Sequence, residues 1–313
     1  MAFNVSALST YTDNKGELIK KAVVNVKTIS RPEIEFRAGI KYSEQFTTVA
    51  SAMAGQAGGC GWTTSGTTTL APVTLTVNTV QFNETMCPET LTQYGLSKAM
   101  KPGIAGSEEL PVEEVFVNEK LDSLGSIMEK MIWQGATSGN NGEGAVTGNN
   151  TLANGILKAV FDASASTVNV TSTGWTSSNA LQKVDTIEAS IPAAAFGVLD
   201  YFFYVSPAYY SLYVQALRTA NLYNIPLDYN SQDGVKHASA ANITIVPVQG
   251  LAGSSYGVLA PKGSIYVGTD LTSDFDEFKV WYSQDNNEVR TRAAFRIGTA
   301  IAFADQIVRV KLA

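Results

Sequence analysis

The sequence predicts an α+β chain, and three stretches of its 313 residues predict it. From Gln45 to Asn83 no residue is charged, and the text there, rich in Thr, Val, Gly and Ala, reads as extended β structure. Pro111 to Gln134 repeats apolar residues at helical spacing. From Phe278 onward nearly every residue fits a strand.

In chain order, the first 35 or so residues show little periodicity, although Val23, Val24 and Val26 fit a short strand. The uncharged window comes next, and nothing positive lies between Lys41 and Lys98. It is too polar for a core and too poor in charge for a well-solvated arm. The expectation is a long β-arm that finds its second surface on a neighbouring copy of the chain. Val73, Leu75 and Val77 alternate with Thr74, Thr76 and Asn78, and the apolar positions resume one residue out of frame at Val80 and Phe82. That slip predicts a β-bulge. Ten residues of strand reach about 33 Å, which overhangs a compact subunit.

In the helical stretch Val117, Leu121, Leu124, Met128 and Met131 fall on one face at alternating steps of four and three, with Ile132 beside them. Pro111 suits the first turn, Glu113 and Glu114 complement the positive end of the dipole, and Gly135 is expected to supply a left-handed cap. Gly125 inside the helix marks a bend or a close crossing. Gly135 to Gly155, with Asn140, Asn141, Asn149 and Asn150, reads as a flexible loop. It lacks the Lys and Thr or Ser pair that a phosphate-cradling loop requires.

A second helix is predicted from Asn179 to Ile191, stopped by Pro192, followed by a buried strand from Asp200 to Val205. Ser206 and Pro207 open a third helix whose stripe is Tyr209, Leu212, Tyr213, Ala216, Leu217 and Ala220. Strands follow at Ile243 to Val248, Tyr256 to Ala260, Ser264 to Leu271, Phe278 to Ser283, Val289 to Phe303 and Ile307 to Leu312.

Hydrophobic residues make up 45% of the chain, enough for a sizeable core, while charged residues are only 16%, so much of the surface must be neutral and prone to association. A formal charge of −6 argues against a dedicated nucleic-acid reader. Cys60 and Cys87 allow at most one internal bridge, and Met1 to Thr10 lacks the basic and apolar regions of a secretory signal, so free thiols in a reducing cytoplasm are expected. The most apolar run, Ile191 to Val205, is broken by Pro192 and Asp200 and is shorter than the roughly 20 residues of a membrane span.

Candidate chemistry is sparse. His237 is the only histidine, and a lone loop histidine is ordinarily a surface residue. Gly253, Ser254, Ser255, Tyr256 and Gly257 match the nucleophile-elbow pattern but precede a strand rather than a helix, and His237 comes before Ser255 rather than after it; a glycine-rich turn is the plainer reading. Asp274, Asp276 and Glu277 lack the spacing of a calcium loop, and two cysteines are too few for structural zinc. No cofactor, metal or catalytic set is expected. Arg290, Arg292 and Arg296 share a strand face, where they read either as a solvated row or as partners for acids such as Glu113, Glu114 or Asp122 of a neighbouring subunit, with contact to packaged DNA a third option.

The run Cys60, Gly61, Trp62 with Ser65 to Thr69, the Thr and Val strand, and Asn83, Glu84, Thr85, Met86, Cys87, Pro88, Glu89, Thr90, Leu91 resembles the corresponding region of tailed-bacteriophage major capsid proteins, especially those of phages infecting Bacteroidetes. Gly257 to Leu271 and Phe275 to Val308 are similar to the last strands of that family. The resemblance implies the Hong Kong-phage capsid fold: an N-terminal arm at 1–36, an extended β-hairpin or E-loop at 37–97, a P-domain at 98–183 with a spine helix at 111–134, an A-domain at 184–271, and a return of the P-domain at 272–313. It further implies a structural, non-enzymatic subunit of an icosahedral capsid in the virion, assembled in the host cytoplasm. Its partners would be copies of itself in hexamers and pentamers, portal, scaffold and decoration proteins, and packaged DNA held nonspecifically, with no membrane. Some phages of this fold weld a hairpin Lys to a neighbour's Asn. Tyr42 to Ser97 contains no Lys, so noncovalent assembly is expected. The inter-subunit candidates are Trp62, Thr67, Thr68, Thr69, Val73, Leu75, Val77, Arg290, Arg292 and Arg296. A nanocompartment shell enclosing protein cargo and a Thr-rich virion adhesin are the alternatives.

Overall fold

A computed structural model describes residues 26–55, 57–61, 66–86, 112–220, 234–238, 242–270, 277–283, 285–286 and 288–313. Val23, Val24, Trp62, Cys87, Pro111, Asp274 and Asp276 lie outside the described residues, as do the side chains of Glu113, Glu114, Val117 and Leu121. Val26 is buried but belongs to the approach to a turn, not to a strand.

The fold is organised by two sheets and one long helix. Strands β1 (Glu35–Ala38), β10 (Ile265–Thr269), β12 (Glu288–Ile301) and β11 (Glu277–Ser283) form the first sheet, and β4 (Asn78–Met86) pairs along the other side of β12. The second sheet runs β5 (Val168–Thr171), β13 (Val308–Lys311), β9 (Tyr256–Pro261), β6 (Tyr201–Val205), β8 (Ile243–Pro247), β7 (Val235–Lys236). Helix α1 (Val112–Gln134) packs Leu124, Met128, Met131, Ile132 and Trp133 into one core with α2 (Ile156–Asp162), with Val267, Phe295 and Ile297 of the first sheet, and with Tyr204, Val246 and Val258 of the second. Each fully buried large aliphatic side chain contributes about 1.5–3 kcal/mol, so this stripe is what fastens the helix to both sheets.

On its other face the second sheet is covered by α3 (Ala180–Glu188) and α4 (Pro207–Thr219), through Ala180, Val184, Ile187, Tyr213 and Leu217. Strand β6 therefore has apolar neighbours on both sides: Tyr204 faces the α1 core while Tyr201, Phe203 and Val205 face α3 and α4. A strand buried on both faces reads as a continuous apolar run, which is why Tyr201 to Val205 shows no alternation.

Gly135 does not adopt a left-handed conformation; it is absent from the positive-φ glycines among the described residues. Its role is close approach. A Cβ there would stand 2.4 Å from the Ala153 carbonyl oxygen and 2.5 Å from that of Met131. The loop after α1 is folded back on the helix end rather than flexible: Gly155 N donates to Gly135 O at 2.9 Å and Ala136 N to Asn150 O at 2.8 Å. Asn140 and Asn141 accept from the backbone N–H groups of Gly142 and Glu143 at 2.7 and 3.0 Å, and these Asx turns shape the loop. Helix α2 and strands β1 and β5 are further elements that the periodicity did not show.

Candidate functional site

Strands β2 (Ser43–Met53) and β3 (Gly66–Thr76) pair in antiparallel register, Ser43 opposite Thr76 and Met53 opposite Gly66, as a sheet of their own. Eleven residues per strand extend about 36 Å at the usual rise. From Val49 to Met53 and from Gly66 to Pro72 every residue is exposed, so the outer half of the ribbon shows both faces to solvent. Neutral pairs hold it: Ser51 Oγ lies 3.2 Å from Thr68 Oγ1, Thr48 Oγ1 donates to Ala71 O at 3.0 Å, and exposed Val49 stands opposite exposed Leu70. An isolated two-stranded ribbon is marginal in water, and β-branched residues supply its extended preference without a core behind it.

Among the described residues the apolar packing that anchors the ribbon lies near its base. Leu75 and Val77 are buried with Ile40 and Ala300 of the same chain, and Phe46 stacks against Tyr266 with ring centroids 4.4 Å apart. Leu75 and Val77 thus do not face a neighbouring subunit: the strand dives into its own core there. Val73 is half-buried against the same cluster, while Thr67, Thr68 and Thr69 are exposed. The frame slip is not a bulge. At Val77, whose N–H donates to Tyr42 O at 2.9 Å, the chain leaves β2 and begins a new pairing, Asn78 opposite Ile297 through Met86 opposite Val289. The crossing needs Gly298, since a Cβ there would fall 2.0 Å from Thr76 O.

The arginine row is spent largely within the chain. Arg296 Nη1 donates to Asp270 Oδ2 at 3.1 Å and to the Lys41 carbonyl, which ties β12 to the foot of the ribbon. Arg290 binds Glu288, Nε to Oε1 at 2.7 Å. That bond, helped by Asn286, holds the Glu288 carboxyl below its ordinary range. Arg292 is half-buried, and its Nε makes no hydrogen bond among the described residues. These contacts give Arg290 and Arg296 partners within their own chain, Glu288 two residues earlier on the same strand and the buried Asp270, in place of acids of a neighbour. Asp270 carried no signal in the sequence; its role follows from the β10 and β12 pairing, which sets Thr269 opposite Ile297.

His237 is buried rather than on the surface. Its Nδ1 lies 2.9 Å from the Tyr213 hydroxyl and its Nε2 lies 2.8 Å from Asp185 Oδ1, with Glu188 Oε2 at 3.9 Å. Burial raises the Tyr213 pKa well beyond the ordinary tyrosine value, the Ala238 backbone N–H opposes this, and Asp185 adds to it. The phenol therefore keeps its proton, and the imidazole is held between it and the Asp185 carboxylate. Both ring nitrogens of His237 are engaged by Tyr213 and Asp185 rather than by Ser255, and the Ser255 backbone N–H donates to Glu143. Among the described residues no helix is long and apolar enough to cross a membrane.

No family model matches the chain, and no curated protein matches it. Solved structures do. A chain of the Gordonia phage Cozz structure is 11% identical with a TM-score of 0.56, covering 90% of this chain and 85% of that one. A chain of the satellite phage P4 procapsid including size determination (Sid) protein is 11% identical with a TM-score of 0.56, covering 94% and 90%. One from the capsid of Myoviridae phage XM1 is 11% identical with a TM-score of 0.54, covering 90% of each chain. At these identities the likeness is one of fold, and over about nine-tenths of its length this chain has the fold of phage capsid chains.

Proposed function

We propose that this chain, built on a fold shared with phage capsid chains, is the structural subunit of an icosahedral phage capsid, assembling noncovalently with copies of itself. The observation that carries the reading is the ribbon of β2 and β3: long, uncharged in its outer half and exposed on both faces. Laid across an adjacent subunit, its Thr and Val pairs would be covered and its open edges paired. In this reading the ribbon is part of the E-loop, residues 37–97, and α1 is the spine of the P-domain. The A-domain, residues 184–271, takes α4 and strands β6 to β9 of the second sheet. Thr67, Thr68, Thr69 and Val73, with Trp62, are the contact residues, and Arg292 is the member of its row that makes no ion pair among the described residues. Hexamers and pentamers, a portal, scaffold and decoration proteins and nonspecifically held DNA complete the virion, with assembly in the host cytoplasm.

The test is expression of the chain alone, followed by negative-stain microscopy and sedimentation. Large closed particles are expected. The Val49→Asp, Leu70→Asp double variant is expected to stay folded, because neither side chain touches the core, and to form no particles. A wild-type chain that stays monomeric and protease-resistant at high concentration would sink the proposal.

A further inference from the structure

Independently of the shell reading, we propose that Asp185, Glu188 and His237 form a binding site for one divalent transition-metal cation of the zinc type. Asp185 and Glu188 are three residues apart on α3, so both carboxylates leave one face of the helix. His237, just after β7, meets them from the facing sheet, and one ligand atom from each residue lies within 4.8 Å of the others.

The Glu188 carboxylate points to a ligand. Its side chain is only 14% exposed and makes no hydrogen bond among the described residues, and His237 Nε2 stands 3.9 Å away. A carboxylate that is mostly removed from water with so poor a partner is costly. A cation between Glu188, Asp185 and the imidazole satisfies all three. One nitrogen and two oxygens suit zinc, whose ligands stand at about 2.0–2.2 Å and therefore roughly 3.3 Å from one another in a tetrahedron. The observed separations of 2.8 and 3.9 Å straddle that value and all three ligand atoms lie within 4.8 Å of one another, so adjustment of the carboxylate side chains would complete the arrangement. Asp185 is half exposed, which provides an entry path and a side for a water as fourth ligand. Tyr213 holds Nδ1 and fixes the ring plane, the task of an outer hydrogen-bond partner at metal-bound histidines. With the metal on Nε2, the ring proton resides on Nδ1, and the Tyr213 oxygen is its acceptor. The bound ion would clamp α3 to the β7 edge of the second sheet.

The single histidine makes the test unambiguous. Zinc is titrated into the full chain while the imidazole nitrogens of His237 are followed by NMR, and Co(II) is titrated in parallel for its ligand-field absorption. Saturation at one ion per chain with a shift of the Nε2 resonance is expected. Glu188→Gln should weaken binding at least roughly tenfold, and Tyr213→Phe by about 10–100-fold. Both variants retain the core contacts of α3 and α4, so circular dichroism reports whether the fold persists. No saturable binding at millimolar zinc, or binding that leaves the imidazole resonances and the Glu188→Gln titration unchanged, would overturn the proposal in favour of a hydrogen-bonded triad without metal.

Discussion

The indole N–H of Trp133 donates to Thr28 Oγ1 at 2.7 Å, more than a hundred residues away in sequence. Thr28 in turn donates both its N–H and its hydroxyl to Glu129, at 3.1 and 2.5 Å, and all three residues are buried. The turn before β1 is therefore stitched to the last turns of α1 by a closed polar network, in which the carboxylate accepts twice and the indole is satisfied.

Thr28→Val keeps the volume and the backbone N–H to Glu129, but removes the hydroxyl that donates to the buried carboxylate and accepts from the buried indole N–H. A loss of about 3 kcal/mol is expected, read as a lower urea midpoint with an unchanged slope, because the unfolded chain is unaffected.

Asp270 is 1% exposed at its side chain and Arg296 15%. Removing one partner of a buried pair leaves an uncompensated charge, so Arg296→Met should cost about 3–5 kcal/mol, whereas Arg296→Met with Asp270→Leu should recover most of it. Because Arg296 also holds the Lys41 carbonyl, the single variant should be cleaved faster between residues 38 and 43 under limited proteolysis.

Gly298→Ala places a methyl group 2.0 Å from the Thr76 carbonyl oxygen, a backbone atom that cannot swing away. The foot of the ribbon must move. A cost of at least about 1–3 kcal/mol is expected, seen as a lowered Tm, together with loss of particles through a misaimed ribbon.

Burial, with a smaller contribution from Asp305, pushes the Tyr201 pKa up to about 12, and burial raises Tyr204 and Tyr213 as well. A tyrosine with a raised folded pKa binds its proton more tightly in the native state. Its stabilisation is complete below the unfolded value near 10 and is lost as pH rises toward about 12. Alkaline titration should show these phenols ionising together with unfolding, as a step in tyrosinate absorbance coincident with loss of near-ultraviolet dichroism.

Longer helical and strand elements were legible where burial leaves an apolar stripe, as in α1 and α4, or an unbroken apolar run, as in β6. The Leu124, Met128, Met131 spacing reports a stripe against two sheets, and the boundaries of α1, α4 and β6 fall within a few residues of the sequence reading. Short elements such as α2 and β5 were not, since a seven-residue helix and a four-residue strand carry too few periods to stand out. The expected bulge illustrates a different limit. An alternation that slips by one residue looks the same whether a strand bulges or exchanges partners.

By itself the sequence determined that a long neutral ribbon exists, that a helix of six turns follows it, and that the chain ends in strands, because composition and period act on each residue's near neighbours. Only the tertiary structure decided that Leu75 and Val77 belong to the ribbon's own foundation, that Arg296 serves Asp270, and that a solitary histidine is buried between a phenol and two carboxylates. Those outcomes depend on which distant strands become neighbours, and burial, which sets the cost of every unpaired charge, is a property of the assembled chain.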